Sequence, residues 1–205
     1  DSQANLVLTV LDPRGHVVAS NNDFGNDPDP LVVYEIPTTG VYHVRVGDLT
    51  LAGSADHHYR VSIGKFPFVT SCYPLSVPAQ IASEVELVGY NLPPNARTAV
   101  PASAPGSQNV VINRQLFRQR GPVKVVVADV AQVAEAEPND TPQAATTLPI
   151  PSIGHGRISA RQDDADLFRI RAARNQVLVI ETEATRHNSP IDTRIEVLDD
   201  AGRSV

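Results

Sequence analysis

Apolar residues along this chain alternate with period two, in runs too short for helices and bounded by turn formers. Leu6-Val7-Leu8-Thr9-Val10-Leu11 leads into Asp12-Pro13-Arg14-Gly15 and then Val17-Val18. Similar runs stand at 31–36, 41–46, 59–63, 85–88, 123–127, 167–170, 177–180 and 195–198, with Asn, Asp, Gly and Pro clustered between them, as at 21–30 and 149–156. Alternation puts successive side chains on opposite faces of an extended strand. Many short strands joined by turns form a sandwich or barrel, so the expected class is all-β. The stretches 115–120 and 130–136 come nearest to helices, but they are short and carry no apolar stripe. The Pro count of 17 in 205 residues suits short strands and many turns.

A search for self-similarity organises the chain. Leu8-Thr-Val-Leu-Asp-Pro-Arg-Gly-His-Val-Val18 and Ile195-Glu-Val-Leu-Asp-Asp-Ala-Gly-Arg-Ser-Val205 agree at five of eleven positions. Both read as strand, turn, strand. The expected reading is two partial copies of one domain. Residues 1–68 hold the C-terminal part of a first copy, and 135–205 hold a linker and the N-terminal part of a second. Residues 69–134 form a separate unit between Pro-rich segments. Half a sandwich leaves open sheet edges and half a core, so the missing strands come from elsewhere in a longer chain or from a partner. The absence of Met, with Asp at position 1, also reads as a piece of a longer or processed polypeptide.

Charge and cysteine usage narrow the classes. A net charge of −6 lacks the clustered Lys and Arg that bind phosphate backbones or anionic membranes. No apolar stretch approaches the roughly 20 residues of a membrane span, and none of these residues is expected to form a signal peptide. Cys72 is the only cysteine, which excludes an intramolecular disulfide and a Cys-based zinc site.

The second copy carries the most specific residues. Glu137-Pro-Asn-Asp140 is followed by Ala144, Leu148, Gly156-Arg-Ile158, Asp163-Asp-Ala-Asp-Leu-Phe-Arg-Ile170 and Ile191-Asp-Thr-Arg-Ile-Glu-Val-Leu-Asp199. This order resembles the bacterial pre-peptidase C-terminal domain, a jelly-roll-like β-sandwich of exported proteins that is related to the collagen-binding domains of secreted collagenases. Asn22-Asp23, the run 31–36, Gly40-Val-Tyr-His-Val-Arg-Val46 and Tyr59-Arg-Val-Ser-Ile63 look like the remainder of that pattern. The middle unit, with Glu84-Val-Glu-Leu-Val-Gly-Tyr-Asn-Leu-Pro93, is similar to the immunoglobulin-like IPT/TIG module, a generic small β-sandwich being the alternative. The expected architecture is therefore jelly-roll-like sandwich segments flanking a small immunoglobulin-like sandwich.

Calcium is the candidate ligand. Ca²⁺ takes six to eight oxygens, several from carboxylates. Glu135, Glu137, Asn139 and Asp140 offer oxygens from an extended segment, and Asp163, Asp164 and Asp166 offer three more before a strand. The resemblance implicates Glu137, Asn139, Asp140, Asp163 and Asp166, with Glu135 and Asp164 as lesser candidates. The alternative is a solvated acidic turn that caps a strand. Asn22, Asp23 and Asp27 form a second oxygen-rich loop, read chiefly as a structural turn because it lacks EF-hand spacing.

No catalytic residue is assigned. Ser54, Asp56, His57 and His58 are adjacent but have no nucleophile elbow, and triads converge through the fold rather than by adjacency. His16, His43, His155 and His187 are dispersed, without zinc-protease spacing. Asn139-Asp-Thr141 matches the glycosylation pattern but lies inside the acidic segment. Among Tyr34, Tyr42, Tyr59, Tyr73 and Tyr90, the pair Tyr42 and Tyr59 is expected in the strand framework and core. The expected function is a non-catalytic, calcium-stabilised spacer or adhesion region of a secreted, periplasmic or cell-surface bacterial multidomain protein. The alternative is an accessory substrate-binding or maturation region of a secreted protease or polysaccharide-degrading enzyme. Expected partners are a protein or polysaccharide ligand, or neighbouring copies of the chain, with neither nucleic acid nor membrane insertion.

Overall fold

A computed structural model of the chain describes residues 2–25, 27–159 and 164–205. The regular structure of the described residues is almost all β, in several sheets, with no helix of seven residues or more. A single 3-10 turn stands at Thr185–His187. No described helix is long and apolar enough to cross a membrane. The chain divides into two compact units, Asp1–Lys65 and Phe66–Val205.

The first unit is built on β1 (Leu6–Leu11), β2 (Val17–Asn21) and β3 (His43–Asp48), in the antiparallel order β2-β1-β3. The turn between β1 and β2 is held by Asp12. Its carboxylate accepts the backbone N–H groups of Arg14 and His16, both at 2.8 Å. The N–H of Asp12 donates to His16 O, and that of Gly15 to Asp12 O, each at 2.9 Å. Asp199 builds the same turn at the other end of the chain. Its carboxylate accepts from the N–H groups of Ala201 and Arg203 at 2.9 Å. The N–H of Asp199 donates to Arg203 O and that of Gly202 to Asp199 O, again at 2.9 Å. Even the partner of the outer carboxylate oxygen corresponds: His16 at the first turn and Arg203 at the second. Gly15 and Gly202 both take left-handed φ, 85° and 77°, which a Cβ would strain. The sequence repeat is therefore also a repeat of hydrogen bonding.

The second unit contains the main core. One sheet has the order β7-β6-β4-β9, from β4 (Phe68–Tyr73), β6 (Ser83–Tyr90), β7 (Arg97–Val100) and β9 (Arg118–Gln119). The other has the order β5-β10-β8, from β5 (Ser76–Pro78), β8 (Gly106–Asn109) and β10 (Lys124–Ala128). Alternation in β6 and β10 buries Val85, Leu87, Val125 and Val127 while leaving Glu84 and Lys124 exposed. Those four join Val69, Cys72, Val77, Val100, Val110, Ile112 and Val123 in one cluster drawn from both sheets, which makes residues 66–128 a sandwich. Burial pushes the Cys72 thiol up to about 11, so it behaves as a small apolar side chain here.

After this sandwich β11 (Ala131–Ala134) pairs in parallel with β13 (Ser152–His155), and β12 (Thr146–Thr147) with β14 (Phe168–Arg169). Four expected strands, at 31–36, 59–63, 177–180 and 195–198, form no ladder beyond the single bridge between Leu198 and Ser204. A strand is defined by a ladder of hydrogen-bonded neighbours, and among the described residues these runs find none beyond that bridge. Most of their apolar side chains are accordingly exposed, Val177 at 91% and Val179 at 90%, while Leu31, Val32, Tyr34 and Leu178 are half-buried. Tyr59 is also exposed rather than part of a core, while Tyr42 is half-buried against Tyr34 with ring centroids 6.4 Å apart.

Candidate metal centre

β11 and β13 deliver the acidic residues to one corner of the second unit. Beyond the end of β11, Glu135 N–H donates to His155 O at 2.8 Å, extending the pairing by one step. The chain turns through Glu137, Pro138 and Asn139, and Leu167 N–H donates to Asn139 O at 3.2 Å. The segment leading into β14 is thereby drawn against the turn. Carboxylate oxygens of Glu135, Glu137 and Asp166 lie within 4.8 Å of one another, and so do those of Glu137, Asp140 and Asp164. Two oxygens bound to one Ca²⁺ at about 2.4 Å can be at most about 4.8 Å apart, so neither triad is too wide for one ion. Glu137 belongs to both.

Asn139 lies under these carboxylates and is fully buried, at 0% exposure. Its Nδ2 donates to Glu135 Oε2 at 3.4 Å, and Glu137 Oε2 accepts its backbone N–H at 3.2 Å. Its Oδ1 has no hydrogen-bond partner among the described residues, and neither does the buried Oδ1 of Asp166. A buried acceptor left unmade costs about 1–3 kcal/mol. Two such oxygens beside two carboxylate triads are what a hard cation would satisfy. The burial of Asn139 also removes its amide from reach as a glycosylation acceptor.

The electrostatics agree with the geometry. Burial first, then a hydrogen bond with Glu135 and the charges of Glu135, Asp164 and Glu137, push the Asp166 carboxyl up to about 7. The cluster without an ion therefore holds a proton where a cation could sit. Gly156 makes room for this packing. A Cβ there would lie 2.5 Å from both Asp166 Oδ2 and Glu135 Oε2.

Of the residues expected at a metal, Glu137, Asn139, Asp140 and Asp166 converge here, with the lesser candidates Glu135 and Asp164. Asp163 lies outside the described residues. Ala165 N–H donates to Asp140 Oδ1 at 3.3 Å, and Ser159 N–H donates to Asp164 Oδ2. The other oxygen-rich loop is organised as a turn: Asn22 Nδ2 donates to Asp23 Oδ2 at 2.7 Å, and Asp27 Oδ1 accepts Asp29 N–H at 2.9 Å. Neither of the two metal-compatible groups among the described residues includes it. Ser54 Oγ stands 2.8 Å from His57 Nδ1, but the same Oγ accepts Asp56 N–H, the pattern of an exposed serine turn. Gly156 and Arg157 were not expected at the site; only their place in the Gly156-Arg-Ile158 run marked them in the sequence.

No protein-family model, curated protein or solved structure matches the chain.

Proposed function

We propose that the chain is a non-catalytic, calcium-steadied region of an exported multidomain protein, serving to space or attach other parts. In this reading 1–68 and 135–205 are partial copies of a pre-peptidase C-terminal type sandwich, and 69–134 is an immunoglobulin-like spacer of the IPT/TIG type. The ligand class is a protein, a polysaccharide or a neighbouring copy. The observation that carries the calcium reading is the fully buried Asn139, whose unpartnered Oδ1 sits among carboxylates that fit one ion. The repeated Asp12 and Asp199 turns support the two-copy reading.

Thermal unfolding in EDTA and in millimolar calcium tests it. Calcium at 100 times its dissociation constant adds about 2.7 kcal/mol, a rise of roughly 5–10 °C in Tm for a unit of this size. Glu137→Ala, which removes the carboxylate common to both triads, should abolish the rise. Equal Tm values in EDTA and calcium would overturn the reading.

A further inference from the structure

Arg157 links the acidic corner to the middle sandwich. Its backbone N–H donates to Glu135 Oε1 at 2.7 Å. Its guanidinium donates from Nη2 to Glu86 Oε2 at 2.8 Å, and Cζ lies 4.0 Å above the Tyr73 ring. Tyr73 on β4 and Glu86 on β6 are directly paired across the ladder, so the planar guanidinium covers two adjacent side chains of one sheet. One residue thus holds a carboxylate of the cluster by its main chain and the middle sandwich by its side chain. A second tie runs parallel to it: His155 Nε2 lies 2.8 Å from Gln132 Oε1, which accepts Ser76 Oγ of β5 at 2.7 Å. The Tyr73 phenol is raised by burial and then by the charge of Glu135, with a further contribution from Asp166, so ring and cluster share one electrostatic environment.

We propose that Arg157 is a positioning residue that couples cation occupancy of the acidic corner to the joint between the middle sandwich and the segment that follows it. The inference rests on the calcium reading above. An ion that fixes Glu135 also fixes the acceptor of the Arg157 N–H, and with it the point from which the guanidinium reaches Glu86 and Tyr73. By linkage the effect is reciprocal: contacts that seat Arg157 on the sandwich tighten the ion site by the factor with which the ion tightens them.

Charge alone predicts the opposite sign, which makes the coupling testable. Arg157 is a cation beside a cation site, so deleting its charge should strengthen calcium binding if Coulomb repulsion were its whole effect. Positioning requires weaker binding. Calcium affinity is measured by titration calorimetry on the full chain and on Arg157→Ala, Arg157→Lys, Tyr73→Leu and the Arg157→Ala/Tyr73→Leu double variant. Both Arg157 variants should bind about threefold to tenfold more weakly, the worth of one half-exposed ion pair and one cation–π contact. Tyr73→Leu should weaken binding alone and add nothing in the double variant, a non-additivity that general loss of structure would not produce. Equal or tighter binding by Arg157→Ala, or additive single effects, overturns the coupling and leaves the calcium site standing. No binding heat from the unaltered chain together with equal Tm in EDTA and calcium overturns the calcium reading, and the coupling with it.

Discussion

In the middle sandwich eleven apolar side chains close on one another between two sheets. At the corner beside it, Glu135, Glu137, Asp140, Asp164 and Asp166 crowd around a buried amide instead. The first arrangement is stabilised by area removed from water, a term indifferent to protons and ions. The second gathers like charges, which repel unless a proton or a cation intervenes. Two neighbouring parts of one compact unit should therefore answer to different perturbations: the sandwich to changes of volume and polarity, the corner to solution conditions.

The largest effect should come from the sandwich. Val85 is at 0% exposure, and Val85→Asp places an unpaired carboxylate in the core, a loss of more than about 4 kcal/mol. Urea unfolding should show the sandwich lost in both EDTA and calcium. Retention of a cooperative transition near that of the unaltered chain would break the assignment of stability to this core. Gly156→Ala acts on the corner alone. The new Cβ meets the mobile ends of Asp166 and Glu135 rather than backbone, so the fold should persist while the carboxylates are displaced. Calcium affinity should fall about tenfold, roughly 1.4 kcal/mol, with Tm in EDTA nearly unchanged. A drop in EDTA as large as that in calcium would mean that Gly156 serves the fold and not the ion site.

What the sequence revealed follows the same division. The runs 85–88 and 123–127 were legible as strands because alternation reports which side chains share a face, and in β6 and β10 one face found the core. The runs 31–36, 59–63, 177–180 and 195–198 are as apolar, yet an apolar run does not say whether a neighbouring strand exists to complete the ladder. The acidic residues were legible by composition, since oxygen side chains crowd 135–140 and 163–166. The contribution of Gly156 was not, because it consists in lacking a side chain where two carboxylates meet. Arg157 was hidden for another reason: its partners Tyr73 and Glu86 stand more than seventy residues earlier and become neighbours only when β4 pairs with β6. The paired turns of Asp12 and Asp199 were the reverse case, with every hydrogen bond local and so written in the spacing Asp-x-x-Gly.

The smallest effect expected is also the most direct measure of the contrast. Asp166 is pushed up to about 7 by burial, its hydrogen bond with Glu135 and the neighbouring carboxylates, whereas an aspartate in the unfolded chain titrates near 4. Between those values the folded chain holds a proton that the unfolded chain has released, so stability falls as pH rises through the window. The contribution is complete below about pH 4 and gone above about pH 7. Asp12 and Asp199, lowered chiefly by hydrogen bonds with His16 and Arg203 respectively, work in the opposite sense, losing their contribution only as pH falls below the usual carboxylate range. In metal-free buffer Asp166 therefore favours a higher Tm at pH 5 than at pH 7.5, while His155, its imidazole lowered by burial, pulls the other way, so the Asp166 contribution is read as the difference between the unaltered chain and Asp166→Asn. Millimolar calcium should remove the difference at the upper end by taking the place of the proton, and Asp166→Asn should remove it without calcium. A metal-free profile that is the same in the unaltered chain and in Asp166→Asn from pH 5 to 7.5 would show the carboxylates to be further apart, or wetter, than the corner places them.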